Sequence, residues 1–110
     1  MAARLLSKAP NAALSVVMDG REMTFSKNAK GEQETTVDML MLAFGDQPTP
    51  LNQKKRTVHL SLKPEQYDLM KKGGVRVTLN VDTPAGSQRV RVIARDAASG
   101  RVGSLDVPLK

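Results

Sequence analysis

The stretch Arg89-Val-Arg-Val-Ile-Ala-Arg-Asp96, followed by Ala97-Ala-Ser-Gly100 and then Arg101-Val-Gly-Ser-Leu-Asp-Val-Pro-Leu109, decides how the chain is read. Val90, Val92 and Ala94 alternate with Arg89, Arg91 and Arg95, which is the period of a strand with one buried face. Asp96 can hydrogen-bond the backbone beyond it, and Gly100 can take the positive φ that closes such a loop. Val102 opens a return strand, yet Leu105, Val107 and Leu109 fall on the opposite parity. A bulge near Gly103-Ser104 is expected if both groups face the core. The stretch is a β-hairpin, and the upstream chain must supply the strands that cover it.

Working outward, Val75 to Asp82 alternates with Val75, Val77, Leu79 and Val81 on one side. Arg56 to Leu62 does the same with Val58, Leu60 and Leu62. Between them Lys63 to Gly74 reads as the one helix. Pro64 and Glu65 suit its first turn, Lys71 and Lys72 its last, and Gly73 a left-handed cap. Tyr67, Leu69 and Met70 are expected to face the sheet. Glu34 to Phe44, with the run Val37-Asp-Met-Leu-Met-Leu-Ala-Phe44, is short and ends at a turn, so strand is preferred to helix. An apolar pattern on both faces implies cover on both. Gly45 to Lys55, with two prolines, reads as a loop.

Ala12 to Met18 is a strand ending at the turn signal Asp19-Gly20, with a short return strand over Arg21 to Phe25 and a loop from Ser26 to Gln33. Residues 1–11, small, polar and broken by Pro10, read as an N-terminal tail, leaving residues 12–110 as a single domain. The expected fold is an all-β, immunoglobulin-like antiparallel β-sandwich of about seven strands with one short crossover helix.

Composition narrows the chemistry. Phe25, Phe44 and Tyr67 are the whole aromatic set and there is no cysteine. The core must therefore be built from Val, Leu, Met and Ala, without disulfides or thiolate ligands. No apolar run approaches the ~20 residues needed to span a bilayer, and no signal peptide is read at the N-terminus, so membrane insertion is not expected. The net charge is +6, and Lys54 to Arg95 carries ten basic residues against three acidic ones. Such a surface favours acidic partners and weak polyanion binding.

His59, the single histidine, shares an outward face with Ser61, but no nucleophile elbow or glycine-rich oxyanion loop accompanies them. Asp19, Asp46, Asp82 and Asp96 stand at strand ends without the acidic loop that calcium requires, and each has a turn-forming reason to be there. Gly100-Arg-Val-Gly103 lacks the lysine and following helix of a phosphate loop. No catalytic residue, cofactor or metal ligand is assigned. A candidate basic binding face remains: Arg89, Arg91 and Arg95 on one side of the hairpin strand, joined by Arg76 if the two strands are neighbours. The chain has few aromatic platforms for nucleic acid, and the plain alternative is a solvated sheet face.

Two stretches carry a family resemblance: Leu60-Ser-Leu-Lys-Pro-Glu-Gln-Tyr67, and Thr83-Pro-Ala-Gly-Ser-Gln-Arg-Val-Arg-Val-Ile-Ala-Arg-Asp-Ala-Ala-Ser-Gly-Arg-Val-Gly-Ser104. Together they resemble the C-terminal immunoglobulin-like domain of bacterial, acidobacterial-type von Willebrand factor type A-related proteins, over roughly Val37 to Leu109. Lys63 and Ala85-Gly86-Ser87 depart from that pattern, which has a Ser or Thr cap and Pro-Gly there. The metal-binding A domain's Asp-x-Ser-x-Ser run is absent, so its metal is not carried over.

The resemblance implies a noncatalytic accessory domain, exported or at the cell surface, that contacts another protein or a neighbouring domain of the same chain. A polyanion-binding module on the arginine face is the alternative. Pro108 marks the last strand as an edge, which could recruit a partner strand or pair two copies as a homodimer.

Overall fold

Period-two burial shapes the molecule. The computed structural model describes residues 1–109, whose elements are β1 (Ala2–Ser7), β2 (Asn11–Met18), β3 (Ser26–Lys27), β4 (Gln33–Phe44), β5 (Asn52–Leu62), α1 (Pro64–Gly73), β6 (Val75–Asp82), β7 (Arg89–Asp96) and β8 (Val102–Pro108). All strand pairs are antiparallel, and they form two sheets. One is ordered β1-β2-β6. The other runs β5-β4-β7-β8, with β3 beside the start of β4. The inward rows interdigitate in a single core that includes Leu14, Val16, Met39, Met41, Leu79 and Val92. This is an all-β sandwich, and Val58, Leu79 and Val92 share its interior. Among the described residues no helix is long and apolar enough to cross a membrane.

Residues 1–11 are not a loose tail. Ala2–Ser7 forms the outer strand of the smaller sheet, pairing with β2 from Ala2↔Val17 to Leu5↔Leu14 before a register shift at Ser7. The turn behind it is held from the far end of β6. The Thr83 hydroxyl donates to the Lys8 carbonyl at 2.8 Å and its N–H to the Pro10 carbonyl at 2.9 Å.

The return strand expected over Arg21 to Phe25 is also replaced. Asp19 caps a 3-10 turn, Gly20–Glu22, by accepting from the Arg21 N–H at 2.9 Å, while Glu22 accepts from the Asp19 N–H at 3.1 Å. Local capping therefore wins over the hairpin, and pairing resumes only at β3. β5 begins at Asn52, inside the stretch expected to be loop, because Asn52 finds Ala43 opposite it.

The hairpin of β7 and β8 keeps one register from Arg89↔Pro108 to Arg95↔Val102, so there is no bulge at Gly103-Ser104. Val102 instead points outward and is 62% exposed. In α1 the buried side chain is Met70, while Leu69 faces solvent at 69% exposure. Tyr67 meets Phe25 edge-on at 5.1 Å between ring centroids. Gly73 is the last helical residue, and it is Gly74 that takes the positive φ of 77°. A Cβ at Gly74 would lie 2.6 Å from the Met18 carbonyl oxygen, so the position is closed to side chains by space as well as by φ.

Candidate interaction face

Parity and register assemble the outer face of the larger sheet. With Met39 and Met41 inward, Asp38, Leu40 and Leu42 of β4 point out. Pairing sets Leu40 beside Ile93, Leu42 beside Arg91 and Asp38 beside Arg95. Leu40, Leu42 and Ile93 are half-buried, forming an apolar row across the middle of the face.

Paired charges frame that row. At one end Arg95 Nη1 lies 3.6 Å from Asp38 Oδ2. At the other, Arg91 grips Asp106 with two bonds, Nε to Oδ1 at 2.8 Å and Nη2 to Oδ2 at 3.1 Å. Arg89 Nε approaches the same carboxylate at 3.7 Å. Both guanidiniums lie over the buried ring of Phe44, 4.4 Å from its centroid for Arg89 and 5.2 Å for Arg91. The hydrogen bonds from Arg91 hold the Asp106 carboxyl below the usual carboxylate range, and those same bonds raise Arg91.

The four arginines of the sequence reading are therefore not one patch. Arg89, Arg91 and Arg95 share a face, but β6 pairs with β2 rather than β7, which puts Arg76 on the other sheet. There its Nη1 donates to the Ser15 hydroxyl at 3.3 Å. On the larger sheet, Asp38 and Asp106 offset much of the positive charge. The sequence reading missed Phe44, Asp38 and Asp106 as partners of these arginines. Their outward parity was visible, but the β4–β7 and β7–β8 registers that align them were not.

His59 lies farther along the face. Its Nδ1 is 3.0 Å from the Thr36 hydroxyl, and its Nε2 is 3.5 Å from the Ser61 hydroxyl. Ser61 donates onward to Glu34 Oε1 at 3.4 Å, which also accepts from Asn28 Nδ2 at 2.7 Å. These contacts link Thr36, His59, Ser61 and Glu34 into a hydrogen-bonded ladder across β4 and β5.

Asp96 is buried, at 2% exposure, and ties two loops together. It accepts from the Thr24 N–H at 3.2 Å and hydroxyl at 2.5 Å, and from the Ser99 N–H at 3.3 Å and hydroxyl at 2.6 Å. Burial pushes the carboxyl up, but the bonds from Ser99 and Thr24 outweigh it and hold the group at about 2. Oδ2 takes three of these bonds and Oδ1 the fourth. Among the described residues no three His, Asp or Glu side chains gather in a metal-holding arrangement. A cavity of about 260 Å³ opens nearby, floored by Met18, Met23 and Val37, and the Arg101 guanidinium at its edge donates to the Arg21 carbonyl at 3.0 Å.

Comparisons of the chain with protein-family models, with curated proteins and with solved structures gave no match.

Proposed function

We propose that this chain is a noncatalytic, immunoglobulin-like accessory domain that makes protein contacts or braces a neighbouring domain. On the resemblance of Leu60–Tyr67 and Thr83–Ser104, we place it in an exported or cell-surface protein related to the bacterial von Willebrand factor type A group.

The observation that carries the reading is the composition of the outer face: the Leu40–Ile93 row between the Asp38–Arg95 and Arg91–Asp106 pairs. A half-exposed apolar centre with a rim of paired charges matches the anatomy of protein–protein surfaces. A polyanion site works otherwise, by leaving cations free to replace counterions on phosphates. Arg89 and Arg91 are instead engaged by Asp106 and stacked on Phe44. The polyanion reading keeps the +6 net charge in its favour.

Two measurements test the proposal together. Titration with heparin and with short single-stranded DNA and RNA at physiological salt is expected to show no saturation at micromolar protein. Saturable binding lost on reversing the charges of Arg89 and Arg95 would establish the polyanion reading in its place. Thermal melting is expected to be unchanged by EDTA, and a drop on chelation would contradict a metal-free accessory domain.

A further inference from the structure

The two flanks of the sandwich are defended differently. On the flank where β5 and β6 are the edges, Lys54 and Arg56 sit at inward positions opposite Met41 and Met39. They reach across to the other sheet. Lys54 Nζ donates to Asn80 Oδ1 and Arg56 Nη1 to the Thr78 carbonyl, both at 2.7 Å, and Asn52 Nδ2 donates to the Asp82 carbonyl at 3.0 Å. Inward-pointing charge on an edge strand blocks the approach of another strand, and here Arg56 also occupies the Thr78 carbonyl of β6.

The opposite flank, with β1 and β8 as its edges, has no such guard. The Asp96 N–H donates to the Arg101 carbonyl, and the Leu109 N–H to the Gln88 carbonyl, bracketing the β7–β8 ladder. Because the register is uniform, odd-numbered residues of β8 bond β7. The backbone groups of Val102, Ser104 and Asp106 therefore point to the open side. No hydrogen bond outside the ladders engages them among the described residues. Val102, on this edge, is 62% exposed, and Leu6, on the adjoining strand β1, is 49% exposed.

We propose that β8 pairs antiparallel with β8 of a second copy, with Ser104 on the two-fold axis, making the two five-stranded sheets continuous. This deepens the protein-contact reading and rests on it. In this register Ser104 meets its own equivalent, and Val102 meets Asp106 of the other copy. Every open-side N–H then finds a carbonyl, giving about six backbone hydrogen bonds. Gly103 falls opposite Leu105 of the other copy, leaving room for that side chain, and no like charges face each other. Shifting the axis to Asp106 would set two carboxylates side by side, which disfavours that register. Pro108, with no N–H to give, ends the ladder where β8 ends. The occupant is a second copy because the open backbone donors and acceptors of Val102, Ser104 and Asp106 match those of their own equivalents, with Gly103 making room for Leu105 and no like charges opposed.

The experiment is sedimentation of the whole chain from about 10 μM to 1 mM, since an interface this small lies at the weak end of specific association. The mean mass is expected to rise from 11.9 kDa toward twice that value. Because each copy carries +6, raising salt should strengthen the pair, whereas bridging by an acidic contaminant would weaken with salt. Ser104→Pro removes an open-side N–H without touching the bonds to β7, and should remain monomeric with an unchanged melting temperature. Val102→Asp, which removes no bond but sets a second carboxylate opposite Asp106 of the other copy at both symmetric positions, should do the same and stands in if the proline variant fails to fold. A monomer at every concentration overturns the proposal, as does a dimer that dissolves on adding salt or survives Val102→Asp. Those results leave the accessory-domain reading to be judged by its own polyanion and chelation tests.

Discussion

Arg56 extends from β5 to donate to the carbonyl of Thr78 on β6, so one guanidinium joins the two sheets and covers a backbone acceptor at their shared flank. A charged donor on a neutral acceptor at an exposed site is worth about 1 kcal/mol. Arg56→Met should lower stability by about that much in urea unfolding and increase aggregation on standing, because β6 loses a guard. Unchanged solubility in light scattering would remove the guarding role.

Asp96 makes the fold sensitive to acid. Its folded pKa of about 2 lies below the ordinary value of 3.8, so its contribution is complete above the unfolded pKa and is lost as pH falls through about 2. Asp96→Asn leaves the Thr24 and Ser99 donors facing an amide and should cost about 1–3 kcal/mol at neutral pH. The difference between wild type and variant should shrink steadily below pH 4. Parallel stability curves from pH 7 to pH 2 would contradict this account.

Gly74 occupies a backbone region, φ 77° and ψ −174°, that is nearly closed to other residues. Gly74→Ala should lose about 1–3 kcal/mol through strain alone, with more from the contact with the Met18 carbonyl. Gly73→Ala, with open space around the new methyl, should be neutral or slightly stabilising. Chemical denaturation of the two variants side by side separates the cap from its neighbour.

The helix offers a similar contrast. Met70→Ala empties a buried site and should cost about 2–5 kcal/mol, while Leu69→Ala, at an exposed position, should change stability by less than about 0.5 kcal/mol. Equal losses in thermal melts would mean that the helix packs by its other side.

Asp106 pairs with two arginines at once. Asp106→Ala should change stability by less than about 1 kcal/mol, as exposed ion pairs do. The same variant should gain measurable heparin binding at low salt, because Arg89 and Arg91 are released. No gain would show that Phe44 alone keeps them from the ligand.

What could be read in advance follows from where the information lies. Strands with one buried row, such as β6 with Val77, Leu79 and Val81, announce themselves by alternation, and the helix by Pro64, its charged ends and a glycine pair. Pairing partners are not written in a strand's own residues. The condition that β6 neighbours β7 is therefore not met, and Arg76 leaves the arginine group with it. Ala2–Ser7 carries little strand signal of its own and becomes a strand because β2 offers it an edge. Val102 misled for a different reason. Apolar residues do occur on outer faces, and counting it as core required a bulge that the uniform register does not contain.

The unequal flanks limit how large an assembly can grow through backbone pairing. A union of two β8 borders about a two-fold axis uses up that border in both copies, so joining through β8 makes couples and not a chain of them. The lysine and arginine turned inward on β5 thus act as a stop against fibre formation, and losing them would open the way to polymers.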